Sequence, residues 1–382
     1  MSRPGFHLTP PAGFLNDPTG LLRLEDRWHV WYQLSPGPVH GDVSWGHAVS
    51  DDLLTWAHLP VAIAADADEE VWTGSVVVDE DGTPGFGRGA LVAAYTSLER
   101  STLAQRQAMA WSIDGGLTWR KHGVVLDIGS TDFRDPRLLR HGDRWVMLVA
   151  RSLEDAVAVY SSPDLLTWTH ESDIAMPPGA GGPWECPDLF PLGDRWVLLV
   201  SQEPATHYVV GDFDGRSFTA DAGGLRRLDL GPDLYAAVTF AEPYDGARIL
   251  LGWLDNWTYA QVLPTSPWRG QLSIARELTL EHDADGTAYL RQRPRAPSRA
   301  IALGEPAEIA PTVWASYDGA HVVVERRGEV VPGFAGRWEV ASRSAEVDVV
   351  ADTYSVEMFT SEGRSLSLHS CAIMDASGGL PE

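Results

Sequence analysis

Ser50-Asp51-Asp52-Leu53-Leu54-Thr55-Trp56 returns as Ser112-Ile113-Asp114-Gly115-Gly116-Leu117-Thr118-Trp119 and again as Ser162-Pro163-Asp164-Leu165-Leu166-Thr167-Trp168, one hairpin written three times. Turn residues leading into Thr-Trp fit a strand that enters a buried sheet. Around these copies five apolar runs recur: Trp28 to Leu34, Ala90 to Ser97, Trp145 to Ala150, Trp196 to Ser201 and Ile249 to Trp253. Their starts lie about 50 to 60 residues apart, the span of one four-stranded propeller blade. The chain therefore reads as all-β, with a five-bladed β-propeller as its main body.

Three acidic motifs keep step with those runs: Asn16-Asp17-Pro18, Arg134-Asp135-Pro136 and Glu185-Cys186-Pro187. Asp17 precedes Trp28 by 11 residues, Asp135 precedes Trp145 by 10 and Glu185 precedes Trp196 by 11, which predicts equivalent positions in different blades. The first strand of each propeller blade lines a central channel, so such residues converge on one axial pocket. Carboxylates crowded together cannot all stay ionised cheaply, and one of them should take a raised pKa. An acid beside an anion is what glycosidic cleavage uses, one carboxylate attacking or stabilising while the other protonates the leaving oxygen. Taken singly, Asp-Pro and Asn-Asp are ordinary turn signals; three in phase are not.

With 29 basic and 53 acidic residues the 382-residue chain carries a formal charge of −24. That argues against nucleic acid or anionic membranes as partners and favours a neutral substrate. The two cysteines, Cys186 and Cys371, make no disulfide framework for a chain this long, and Cys186 reads as packing. Twelve histidines are scattered without metal-ligand spacing, and neither a phosphate loop nor a nucleotide fingerprint appears, so no metal and no cofactor are expected. No apolar signal core follows Met1 and no run approaches the length of a membrane span. The chain as given reads as cytoplasmic, as a trimmed secreted enzyme also would.

Arg291-Gln292-Arg293-Pro294-Arg295-Ala296-Pro297-Ser298-Arg299-Ala300 suits a linker, dividing a catalytic propeller domain over 1–295 from a second domain over 296–382. There the runs Glu346 to Val350, Tyr354 to Phe359 and Ser365 to Leu368 read as antiparallel strands of a small β-sandwich.

Six ordered segments carry a family resemblance: Phe14-Leu15-Asn16-Asp17-Pro18-Thr19-Gly20, Trp45-Gly46-His47-Ala48-Val49-Ser50, Thr73-Gly74-Ser75, Phe133-Arg134-Asp135-Pro136, Trp184-Glu185-Cys186-Pro187-Asp188-Leu189-Phe190 and Pro264-Thr265-Ser266-Pro267-Trp268-Arg269-Gly270. Over residues 4 to about 295 the chain resembles glycoside hydrolase family 32, the invertases, levanases and exo-inulinases. The resemblance implies a five-bladed propeller followed by a β-sandwich, and a retaining mechanism on terminal β-fructofuranosyl units. It makes Asp17 the nucleophile, Glu185 the general acid and then base, and Asp135 a transition-state stabiliser with Arg134 balancing charge. It places Asn16, Gln33, Trp72, Ser75 and Trp268 around the fructose.

Within that family the stretch Gly252 to Tyr259, followed by Pro264 to Gly270, is most similar to levanases and exo-inulinases, implying release of terminal fructose from fructans, with sucrose also split. A sucrose or sucrose 6-phosphate hydrolase is the alternative, and a catalytically silent sugar-binding propeller a further one. Two departures stand out. His40 replaces a usual aromatic residue, and the sandwich is shorter than the family's, so that a second copy covering its open edges would stabilise it.

Overall fold

The computed structural model describes residues 2–175, 183–328 and 330–370. Five antiparallel sheets follow one another, each built on four consecutive strands of the meander, with an extra short strand on the first and fourth and a small insertion in the fifth. Their innermost strands are Gly13–Leu24, Glu69–Asp79, Arg134–His141, Glu185–Leu192 and Tyr235–Thr239. Each touches the next, and the fifth touches the first, so the ring is closed. All five apolar runs are the second strands of their blades, where both faces are covered by neighbouring blades.

Closure rests on shared cores. Trp28, Tyr32 and Leu21 of the first blade pack with Val238, Phe240 and Ile249 of the fifth, and other clusters join blades two to three and three to four. A segment from inside the fifth blade, Trp268–Arg269, also pairs in parallel with Gly13 and Phe14, stitching last blade to first. The Ser-x-Asp repeat links the third strand to the fourth: Asp52 accepts the Leu54 and Thr55 amides, and Asp164 those of Leu166 and Thr167. The strand it leads into is the outermost and mostly exposed, not a buried one, because the turn points away from the channel.

The last propeller strand ends at Pro294 and the first strand of the sandwich is Arg299–Ala302. Among the described residues the sandwich has two four-stranded sheets closed on Val313, Val324, Val349, Val356 and Leu368. The outer edge of Ser365–His369 is covered by the propeller itself: the Leu230 amide donates to the Ser365 carbonyl and the Asp233 amide to that of Ser367. The two open edges at Arg299–Ala302 and Ala307–Ala310 are four residues long, and that at Gly336–Ala341 carries Arg337 and Glu339, features that blunt edge pairing. Buried ion pairs cross the junction, Arg276 to Glu357 and Arg326 to Asp233, and Asp229, itself paired to Arg276, accepts the Ser365 and Ser367 hydroxyls. Cys371 lies outside the described residues.

Candidate active site

Every innermost strand breaks its ladder near its start: between Leu15 and Pro18, Val71 and Gly74, Arg134 and Arg137, Glu185 and Asp188, and Tyr235 and Val238. A bulge bends the strand and re-aims side chains, and here it recurs in all five blades around the channel. Asp135, Cys186 and Ala236 take left-handed φ values of 63°, 50° and 48° there, a conformation uncommon for residues with a Cβ. In the second blade Gly74 resumes the ladder after the bulge, where a Cβ would meet the Ala94 carbonyl oxygen at 1.9 Å.

The ladders revise one expectation. Arg134 pairs with Ala150 and Glu185 with Ser201, each partner five residues beyond its blade's tryptophan. Glu185 therefore occupies the place of Arg134, and Cys186 that of Asp135. Turn and bulge have the same length in these two blades, so the offsets of 10 and 11 residues from the tryptophan are a real one-residue step along the strand. The consequence is chemical: Asp17 and Asp135 lie deep, 7% and 5% exposed, whereas the Glu185 side chain, one residue nearer the mouth, is 24% exposed.

Asp17 Oδ2 accepts the Thr73 hydroxyl at 2.7 Å and the Gln33 amide at 3.1 Å, while its Oδ1 is buried without a partner. Asp135 Oδ2 accepts the Cys186 amide at 2.9 Å. The Cys186 Sγ lies 3.6 Å from Asp17 Oδ2 and 3.7 Å from Asp135 Oδ2, so this residue does more than pack: it joins the two aspartates. Burial pushes its thiol well above the usual value, reinforced by Asp135 and Asp17, and it stays a neutral weak donor. Glu185 Oε2 accepts the Tyr235 hydroxyl at 2.5 Å and its Oε1 faces Arg134 at 3.1 Å. Arg134 also holds Asp132 at 2.8 Å.

Burial pushes Asp17 up to about 6 against the lowering Thr73 hydroxyl, with Glu185 adding to the rise. Burial likewise pushes Asp135 to about 7, opposed by Arg134 and reinforced by Glu185 and Asp17. Like charges in a dry pocket behave this way.

The other expected residues divide. Asn16 is 1% exposed with both amide atoms lacking an ordinary hydrogen bond, although it sits near enough to lower Asp17. Gln33 is held between Asp17, Thr73 and His40. Trp72 is half-buried, its indole N–H on Glu70 at 3.0 Å and its ring edge-on to His40. Ser75 reaches the channel wall but its hydroxyl donates to the Pro136 carbonyl and accepts the Leu138 amide, both at 2.8 Å, tying blade two to blade three. Trp268 is not with the acids. The parallel pairing with Gly13 carries it beneath the sandwich, against Tyr354 and Arg3.

Sequence reasoning missed Thr73, Tyr235 and Trp257. Tyr235 shares the bulge position of Arg134 and Glu185, so carrying the repeat into the fifth blade would have found it. Trp257 stands edge-on to His40 at 5.5 Å, opposite Trp72 at 5.7 Å.

His40 fills the gap between those rings, its Nε2 3.2 Å from Gln33 Oε1. Burial lowers its pKa, against Glu70 and Glu185, so it is neutral near pH 7. An Nε2–H then donates to Gln33 and fixes the amide with its NH₂ toward Asp17. One such bond contributes about 1 kcal/mol, so His40→Phe should lower kcat/KM roughly fivefold in steady-state kinetics; no change would show that Thr73 and Asp17 suffice to hold Gln33.

The profile described as Glycosyl hydrolases family 32 N-terminal domain matches residues 7–294. A levanase of Bacillus subtilis is 40% identical over 317 residues, covering 76% of this chain and 46% of that protein. An invertase of Wickerhamomyces anomalus is 36% identical over 350 residues, 81% of this chain and 63% of its own. The crystal structure of an exo-inulinase from Aspergillus awamori superposes with a TM-score of 0.88 at 28% identity, covering 98% of this chain and 94% of that one. The chain thus spans about half to two thirds of the length of the curated relatives it matches. With its profile match running through all five blades and past all three acids, the chain belongs to glycoside hydrolase family 32.

Proposed function

We propose that the chain is a retaining glycoside hydrolase, a β-fructofuranosidase releasing terminal β-fructofuranosyl units from fructans or sucrose-type fructosides. The observation that carries this reading is the pair of deep aspartates joined by Cys186 below a more exposed glutamate, with one Asp17 oxygen left unbonded. That oxygen attacks C2 of fructose while Glu185, near the mouth, gives its proton to the departing oxygen. The C2–O bond to the leaving group breaks and a bond from C2 to Asp17 forms. Glu185, now a carboxylate, takes a proton from water, which attacks C2 and frees Asp17 with the configuration retained. Asp135 accepts sugar hydroxyls, and the unpartnered Asn16 amide reads others. Trp72 and Trp257 give the pocket apolar walls, the mixture of a small-sugar cleft.

Arg100, beside Asp42 and Glu70, is ion-paired to both, at 2.8 and 3.1 Å, so its charge is already engaged. Self-association through the exposed sandwich edges belongs to the same proposal and is read by light scattering. The function is tested by fructose release from sucrose, sucrose 6-phosphate, 1-kestose, inulin and levan, with Glu185→Gln as control. Glu185→Gln should lose about 10²- to 10⁴-fold, and release that survives unchanged, or none by the unaltered protein, would overturn the assignment.

The Asp17 pKa sets a sign for pH. Only the ionised nucleophile attacks, so kcat/KM should fall as pH drops through about 6, above the ordinary carboxylate range. A pH–rate profile flat down to pH 4 would exclude Asp17 as the group in that limb.

A further inference from the structure

The innermost strands that raise the acids at one mouth of the channel end, at the other, around a cavity of about 880 Å³. Its wall is apolar over Val77, Leu139, Phe190 and Trp196, and it is lined by two buried arginines, Arg137 and Arg248. Nothing in the mechanism uses it.

Arg248 is 4% exposed. It donates through Nη1 to the carbonyls of Phe240 and Ala241 at 2.9 and 3.1 Å, its Nε is buried without a partner, and its guanidinium lies 5.2 Å from the Phe190 ring centre. Among the described residues it forms no ion pair. Arg137 beside it is paired to Asp188 at 2.8 Å and bonds the Thr239 carbonyl, while Asp188 accepts the Thr239 amide. The charges facing Arg248 are thus Asp188, already engaged, Arg137 and the exposed Glu242. Two buried guanidiniums against one buried carboxylate leave one positive charge unbalanced, and fully buried arginines are almost always paired. The carbonyl bonds explain where Arg248 sits but supply no negative charge.

We propose that this distal end of the channel binds an organic anion. A carboxylate or phosphate head sits against Arg248 and Arg137, and an apolar body lies along Val77, Leu139 and Phe190. Guanidinium planes favour such forked oxyanions, and a mono-anion restores neutrality.

Thermal unfolding with inorganic phosphate and, separately, citrate, each against sodium chloride of equal ionic strength, tests this. At several times its dissociation constant a bound anion should raise Tm by about 1–2 °C in a chain of this length. The anion that acts identifies the head, and the rise should vanish in Arg248→Met, which keeps the apolar volume. No rise with either anion, or an equal rise in Arg248→Met, overturns the site. Should Arg248→Met fail to fold by circular dichroism, anomalous diffraction from crystals of the unaltered protein grown with selenate decides. A peak within hydrogen-bond reach of Arg248 supports the site, and peaks confined to exposed arginines overturn it.

Discussion

Asp17→Asn should abolish fructoside hydrolysis while leaving the protein folded and no less stable than the parent at neutral pH. The first half follows from the proposed chemistry: without an anionic oxygen at this place no fructosyl–enzyme bond forms, and the loss should exceed the roughly 10²- to 10⁴-fold of a missing acid or base. The second half separates a functional carboxylate from a structural one. A structural carboxylate has its pKa depressed by partners and stabilises the fold above it. The Asp17 pKa is raised from 3.8 to about 6, so the fold pays for its ionisation. Its contribution is most favourable below the unfolded pKa and is lost as pH rises through about 6. Above that, a neutral amide removes a penalty of roughly 3 kcal/mol, offset in part because Thr73 and Gln33 both donate to Oδ2 and one of them must turn away. Kinetics and urea denaturation on the same preparation read both quantities. Appreciable retained turnover, or a large fall in stability, would sink the assignment of Asp17 as nucleophile.

This inversion shows why the site was largely visible in the sequence. Residues that serve packing follow period and hydropathy, and many alternatives satisfy them. Residues that serve a reaction break those rules, as an acid next to a proline does at Asp17 and Asp135, both buried inside strands. The second strands were equally legible, since being covered on both faces forces continuous runs such as Trp145 to Ala150. What the sequence concealed is geometry that skips along the chain. Trp268 looks like a pocket residue until Gly270 and its neighbours fold back on the first blade. Cys186 looks like core because a thiol carries no charge to betray its place between two carboxylates. Ser75 looks like a sugar ligand until the Pro136 carbonyl, sixty-one residues on, takes its hydrogen. The near-equal offsets of 11, 10 and 11 residues passed for equivalence, yet the single residue between 10 and 11 is a step along the strand that sets the more exposed Glu185 apart from the buried Asp135.

Glu357→Ala should cost about 3–5 kcal/mol of stability, the usual result of removing one partner from a buried ion network. Glu357 is fully buried in the sandwich, ion-paired to Arg276 of the fifth blade and to His7 of the N-terminal segment, and it accepts the Ile274 amide. Burial alone would raise its carboxyl, but Arg276 and His7 hold it below the ordinary value. Removing it strands the Arg276 guanidinium beside Asp229 alone, uncouples the N-terminal segment on one side and leaves an amide unsatisfied. The pH dependence distinguishes this from a simple cavity. The glutamate's contribution is present above its ordinary value of 4.5 and is lost as pH falls through its lower folded value. His7 is lowered by burial but raised overall by Asp352 and Glu357; its contribution is present below 6.5 and lost as pH rises through the raised folded value. The gap between parent and variant should therefore be widest between those two values and narrow on the alkaline side. Urea midpoints across that range measure it, and a loss under about 1 kcal/mol with no pH dependence would mean that the sandwich is held on by its apolar contacts, the ionic network adding nothing.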